Sequence, residues 1–127
     1  MDLSPRKIQR LRLSGEFRSV REKGFALTGK WLVLSIWKGE GSLVGSKPKF
    51  GVITSKKVGG AVVRNLVRRR IRHIHRAHHA DVMDGVWCVI IARFRASFAS
   101  FEELDVEWCK LARRAGILKS CAPLSAS

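Results

Sequence analysis

Acidic residues are scarce in this chain. Ten Asp and Glu stand against 25 Lys and Arg, leaving a formal charge of +15 on 127 residues and a pI near 11.1. So one-sided a field favours a polyanionic partner, either nucleic acid or an anionic membrane. Cysteine is sparse as well. Cys88, Cys109 and Cys121 are odd in number and widely spaced, and two of them sit in apolar patterns, which suits reduced buried thiols better than a disulfide frame. Long apolar runs are missing too: the longest, Trp31 to Trp37 and Val86 to Ala92, fall well short of the roughly 18–20 residues that span a bilayer. The opening Met1-Asp2-Leu3-Ser4-Pro5-Arg6-Lys7 has no basic segment followed by an apolar one. No secretory signal is therefore expected, and the expected location is the cytoplasm.

Apolar material is plentiful. Hydrophobic residues make up 46% of the chain, with four Trp and six Phe, enough for one core and too much for a disordered basic tail. The expectation is one domain over residues 1–127, with a core of about 7–116 and a frayed tail over 117–127. Ser14 can cap a short helix running to about Glu22, burying Phe17 and Val20 and ending at Gly24. Phe25 to Thr28 reads as a short strand. Trp31 to Trp37 reads as a longer one, because Leu32, Leu34 and Ile36 alternate with Val33 and Ser35. Gly39 to Pro48 is a polar connection, and Phe50 to Ser55 is the next strand, expected to pair with the preceding one.

After Gly59 and Gly60 the apolar period changes from two to 3.6. Val63, Leu66, Val67, Ile71, Ile74 and Ala77 share one side of a helical wheel. Arg64, Arg68, Arg72 and Arg76 lie opposite at four-residue steps, with Asn65, Arg69, His75 and His79. Arg70 falls in the apolar sector and is expected to snorkel toward solvent. Val86 to Ala92 suits a strand covered on both faces. Ser100 and Glu103 have capping-box spacing ahead of a last helix with Phe101, Leu104, Trp108, Leu111 and Ala115 on one stripe, ending at Gly116. The pattern as a whole is α+β.

Catalytic constellations are weak. His75 and His79 have the spacing of two helical metal ligands, but no Glu follows His75 as a zincin requires, and no matching Cys or carboxylate is evident nearby. Glu102, Glu103, Asp105 and Glu107 crowd one helix start, where they offset its dipole, and they diverge too far to form a two-metal centre. The polypeptide itself therefore reads as non-catalytic and metal-free. The basic helix is the candidate site: its charge is of one sign and mostly Arg, whose planar fork suits phosphate, and Asn65 places an amide within it. Lys56 and Lys57 extend the field onto the strand end. The flanking strands disfavour a DNA-reading helix-turn-helix, and the apolar stripe between strands disfavours a membrane-surface helix. A basic ribosomal or assembly protein with no part in cleavage has the same charge and size, and it remains the alternative.

Ser55, Lys56, Lys57, Gly59, Ala61, Val62, Arg64, Asn65, Arg68, Arg69 and Arg72 carry a specific pattern: an Arg-Asn-centred basic helix following a Ser-Lys-Lys strand end. This resembles the protein component of bacterial ribonuclease P. The likeness extends to Arg10-Leu11, Glu16-Phe17, Gly24, Phe50-Gly51-Val52, Ile90-Ile91-Ala92-Arg93, Phe101 and Leu104, over roughly residues 7–115. The resemblance implies a single-domain α-β-β-β-α-β-α sandwich with a left-handed β-α-β crossover. It also implies an RNA subunit that positions Mg²⁺ and cuts precursor tRNA at the 5′ end of the mature sequence, the protein serving as accessory. Its implied partners are ribonuclease P RNA and precursor tRNA, with neither DNA nor membrane. Carried over, Lys56, Arg64, Asn65, Arg68, Arg69, Arg72 and Arg76 would face the catalytic RNA, while Phe17, Ser35, Ser55, Lys57 and Arg93 would face the single-stranded leader. Where the family often has aromatics, this chain has Arg21 and Ser35. Trp31 and Trp37 share the strand parity of Ser35 and are the expected substitutes, Trp31 being placed in the leader site.

Overall fold

The computed structural model describes residues 9–10, 14–38 and 47–119. Five strands form one sheet in the order β1-β4-β5-β3-β2, where β1 is Gln9–Arg10, β2 Phe25–Thr28, β3 Leu32–Lys38, β4 Lys49–Thr54 and β5 Val86–Ala92. Three helices accompany them: α1 Ser14–Lys23, α2 Ala61–His78 and α3 Phe101–Ala115. The sheet is mixed, since β5 runs parallel to β4 and antiparallel to β3. β3 and β4 are therefore not neighbours, contrary to the expectation from their order in the chain. β5 lies between them because its nearly unbroken apolar run is buried on both faces and needs a hydrogen-bonded partner at each edge. Most of the polar connection at 39–48 lies outside the described residues.

Strand parity then sorts the side chains into two layers. Leu32, Leu34, Ile36, Phe50, Cys88 and Ile90 point to the face covered by α2 and α3, where they meet Val67, Ile71, Ile74, Leu104, Trp108 and Leu111. Val89 points to the other face and packs with Val20 of α1, flanked by Phe17, Trp37, Trp87 and Ile91. Cys88 is a fully buried thiol whose pKa burial raises to about 12, and Cys109 is buried as well. Cys121 lies outside the described residues.

The buried stripe of α2 is rotated from the one expected. Val67, Ile71 and Ile74 are interior, but so are His75 and His78, whereas Leu66 is 40% exposed and Ala77 is exposed. His75 was expected on the basic side and instead stacks on Phe50 with ring centroids 3.8 Å apart. Its imidazole substitutes for an aliphatic side chain in the layer. His78 stacks on Trp108, and its Nε2 donates to Asp105 Oδ1 at 2.8 Å, with Cys109 Sγ at 3.4 Å. Arg70 does not run out to solvent: its guanidinium donates to the Ala99 carbonyl at 3.2 Å, tying α2 to the loop before α3.

The acidic cluster likewise does more than balance charge. Ser100 and Glu103 form the expected capping box, Asp105 is buried against His78, and Glu107 reaches across to β3. There its carboxylate accepts the backbone N–H groups of Lys30, Trp31 and Leu32 at 2.6–2.7 Å. Gly29 makes room for it, since a Cβ at that position would stand 2.6 Å from the Glu107 carboxyl carbon. The expected tail over 117–127 is described only as far as residue 119, and there it packs on the domain. Ile117 is buried, Leu118 bridges to Val82, and the Lys119 N–H donates to Asp81 O.

Glu107→Ala leaves three amides without their acceptor and should cost about 1.5–3 kcal/mol in urea unfolding. Burial, reinforced by the neighbouring His79 and His78, holds His75 well below its ordinary pKa. The unfolded chain therefore binds a proton there that the folded chain refuses, so stability is full above pH 6.5 and declines as pH falls below it. The urea midpoint should drop between pH 7.5 and 5, and His75→Phe should flatten that drop.

Candidate nucleic-acid interface

The chain reaches α2 through a tight turn. Thr54 ends β4, Lys56–Val58 makes one 3-10 turn, and Gly59 has φ of 148°, a conformation that L side chains rarely adopt. Gly60 begins α2 with no side-chain cap and no acidic residue in the first turn. The helix start thus keeps its positive dipole end for an anion. Lys56 and Lys57 are exposed beside it.

Along the exposed side of α2, Asn65, Arg68, Arg69, Arg72, His73 and Arg76 line a shallow groove of about 580 Å³. Arg68 is held in place, its guanidinium donating to Thr54 Oγ1 at 2.6 Å and to Asn65 Oδ1 at 3.1 Å. Asn65 therefore orients an arginine as well as presenting its own amide. Arg64 Nε is buried without an acceptor among the described residues. All seven residues expected to face RNA lie on this side or at its start. His73 is an addition; its i+4 relation to Arg69 was the available signal.

The opposite face of the sheet carries a cleft of about 500 Å³, lined by Phe17, Arg18, Arg21, Ser35, Ile53, Val89 and Ile91. Its floor is strands β3, β5 and β4, and its wall is α1. Phe17 and Ser35 were expected there. Trp31 was also expected and lies elsewhere: it packs against the core layer shared with α3, with the Lys30 ammonium 4.7 Å from its ring centroid. Strand parity fails for it because β3 begins only at Leu32, while the preceding backbone bends around Glu107. Arg93 is partly committed to bracing, its guanidinium donating to Gly29 O at 2.7 Å. Ser55 and Lys57 are exposed just beyond β4, outside the cleft lining. Sequence reading missed Arg18, Ile53, Val89 and Ile91, which the odd-numbered parity of the two strands and the helical spacing from Arg21 could have indicated.

His78, Asp105 and Cys109 are the one group of three metal-capable side chains among the described residues, their ligand atoms lying within 4.8 Å of one another. Two tetrahedral zinc ligands stand about 3.3 Å apart, given bonds of about 2.0 Å, so the 2.8 Å contact between His78 and Asp105 is that of a hydrogen bond. One oxygen, one nitrogen and one sulfur also suit magnesium poorly. Among the described residues no helix is long and apolar enough to cross a membrane.

A cationic helix face on one side of a sheet and an arginine-walled apolar cleft on the other define an α+β protein with two surfaces suited to polyanions. The family model described as Ribonuclease P matches residues 6–116. The ribonuclease P protein component of Syntrophomonas wolfei is 36% identical over 111 residues, covering 87% of this chain and 90% of the relative. That of Acidothermus cellulolyticus is 37% identical over 105 residues, 83% and 86% of the two. The RNase P protein of Staphylococcus aureus superposes with a TM-score of 0.76 at 21% identity, over 86% of this chain and 96% of that one. The chain belongs to the ribonuclease P protein family and is a subunit of that ribonucleoprotein endonuclease, which acts in tRNA processing with its RNA as the catalyst.

If Arg68 meets a phosphate, Arg68→Ala should weaken RNA binding about 10- to 100-fold. It should also reduce the log-log salt slope by about 0.7–0.9. Arg68→Lys should keep the slope while losing the tether to Thr54. Filter binding across a salt series checks both, and an unchanged slope for Arg68→Ala places Arg68 outside the interface.

Proposed function

We propose that α2 seats on ribonuclease P RNA through Lys56, Arg64, Asn65, Arg68, Arg69, Arg72 and Arg76, while the cleft holds the 5′ leader of precursor tRNA. The observation that carries this reading is the division of labour across the sheet. One face offers fixed guanidinium groups of a single sign, suited to a folded RNA backbone. The other offers an open apolar floor beneath Phe17, with Arg18 and Arg21 at its wall, suited to unpaired bases and their phosphates. Phe17 and Ser35 contact leader nucleotides. Ser55, Lys57 and Arg93 extend the path at the ends of the strands that carry Ile53 and Ile91.

The hydrolytic step belongs to the RNA. Mg²⁺ bound there would supply activation of water and stabilisation of the leaving oxygen, while the protein supplies position and screens repulsion between two RNAs. With its surface committed to RNA, the protein works in the cytoplasm, without DNA or membrane partners.

Reconstitution tests the assignment. At low Mg²⁺, the wild-type protein should restore 5′ processing by a bacterial ribonuclease P RNA. Phe17→Ala should lower kcat/KM roughly 5- to 150-fold on leader-bearing precursor, the equivalent of one base stack, and leave affinity for mature tRNA unchanged. Equal losses on both RNAs would remove the leader from the cleft.

A further inference from the structure

The cleft floor continues past its lining residues. On this face the strand register sets three rows: Val33–Ile91–Ile53, Ser35–Val89–Gly51 and Trp37–Trp87–Lys49. Each row lies two residues from the next, about 6.6 Å along the strands. Phe17, Arg18 and Arg21 of α1 line the cleft with residues of the first two rows, and Glu16 and Lys23 of the same helix reach the third. The third holds two tryptophans in edge-to-face contact, with ring centroids 5.5 Å apart at 84°. Each ring has an ammonium over it: Lys23 Nζ is 4.8 Å from the Trp37 centroid and Lys49 Nζ 4.9 Å from that of Trp87. Both rings are only partly buried, and they belong to the same apolar cluster as Phe17 and Ile91.

We propose that the Trp37–Trp87 pair, with Lys23 and Lys49, is a second base-stacking station for unpaired nucleotides of the leader strand, separate from the one beneath Phe17. This rests on the reading of the cleft as the leader site. A base sliding onto either indole displaces an ammonium from the ring face, and that ammonium then meets the phosphate carried in with the base, so each lysine exchanges a cation–π contact for an ion pair. Lys49 also pairs with Glu16 at 3.1 Å, so a phosphate competes with a carboxylate there. A buried tryptophan pair under lysine stems would be the bland account. Two features argue against it: the rings remain partly accessible, and the Trp87 indole N–H has no acceptor among the described residues. The station would compensate for Ser35 and Arg21, which stand where the cleft would otherwise carry aromatic rings.

The test measures precursor tRNA affinity of the reconstituted holoenzyme over a series of leader lengths, for wild type, Trp87→Leu, Trp37→Leu and Arg21→Ala. Circular dichroism confirms that each variant is folded, and Trp87→Phe, which keeps a ring, should fall between wild type and Trp87→Leu. On a long leader, Trp87→Leu should weaken binding roughly 5- to 150-fold, the equivalent of one base stack. Trimming the leader should abolish the Trp87→Leu and Arg21→Ala effects at different lengths. If Trp87→Leu and Trp37→Leu leave long-leader affinity unchanged while Arg21→Ala weakens it, the station is overturned and the leader site stands. If the tryptophan and arginine effects vanish together, there is one contact and not two. If Trp87→Leu weakens leaderless tRNA equally, the tryptophans act through the fold. If no variant and no trimming alters affinity, the leader reading itself falls.

Discussion

The insertion of β5 between β3 and β4 is the constraint on which the rest depends. All seven of its residues pair with β3 and six, Trp87 to Ala92, pair with β4, and that pairing fixes which way every second side chain points. Even-numbered residues of β3, β4 and β5 supply the floor of the helical layer, and odd-numbered ones supply the floor of the cleft. A one-residue slip would exchange the two sets, placing Ser35 and Gly51 in the core and Leu34 and Ile90 in solvent. The two candidate RNA surfaces are thus products of a single register.

Charge is the opposing force. A helix with Arg at 64, 68, 69, 72 and 76 is self-repelling, and no acidic residue in its first turn relieves it. What holds α2 down is the layer beneath: Val67, Ile71 and Ile74 with the stacked His75 and His78, and the Arg70 contact to the Ala99 carbonyl. Acidic side chains contribute from outside the helix. Asp105 fixes His78, and Glu107 gathers three amides at the entry to β3. Glu103, Asp105 and Glu107 are thus taken up by structural contacts, and α2 itself carries no acidic residue to offset its arginines.

Most of the elements were legible because their periods are clean, as in the alternation of Leu32, Leu34 and Ile36 or the capping box of Ser100 and Glu103. The exposed arginines were legible for the same reason, since a four-residue step keeps them together on any helix. What escaped was set by tertiary contact. The rotation of the buried stripe onto His75 and His78 depends on Phe50, Trp108 and Asp105, which lie far away in the chain. Trp31 left its parity because Glu107 draws the backbone aside. β3 and β4 were separated by a strand that arrives only later in the sequence. The hand of the crossover has no residue signature and came from resemblance alone.

Ile53 lines the cleft, and its neighbour Thr54 accepts the hydrogen bond that positions Arg68. A single peptide step therefore links the two working surfaces, with no hinge between them. The sheet behaves as a caliper: whatever grips the helix and whatever threads the cleft are kept at a separation equal to the thickness of one layer. Under the proposed reading, that spacing would set how far the leader strand runs from the ribozyme, a measurement of distance that needs no reading of letters.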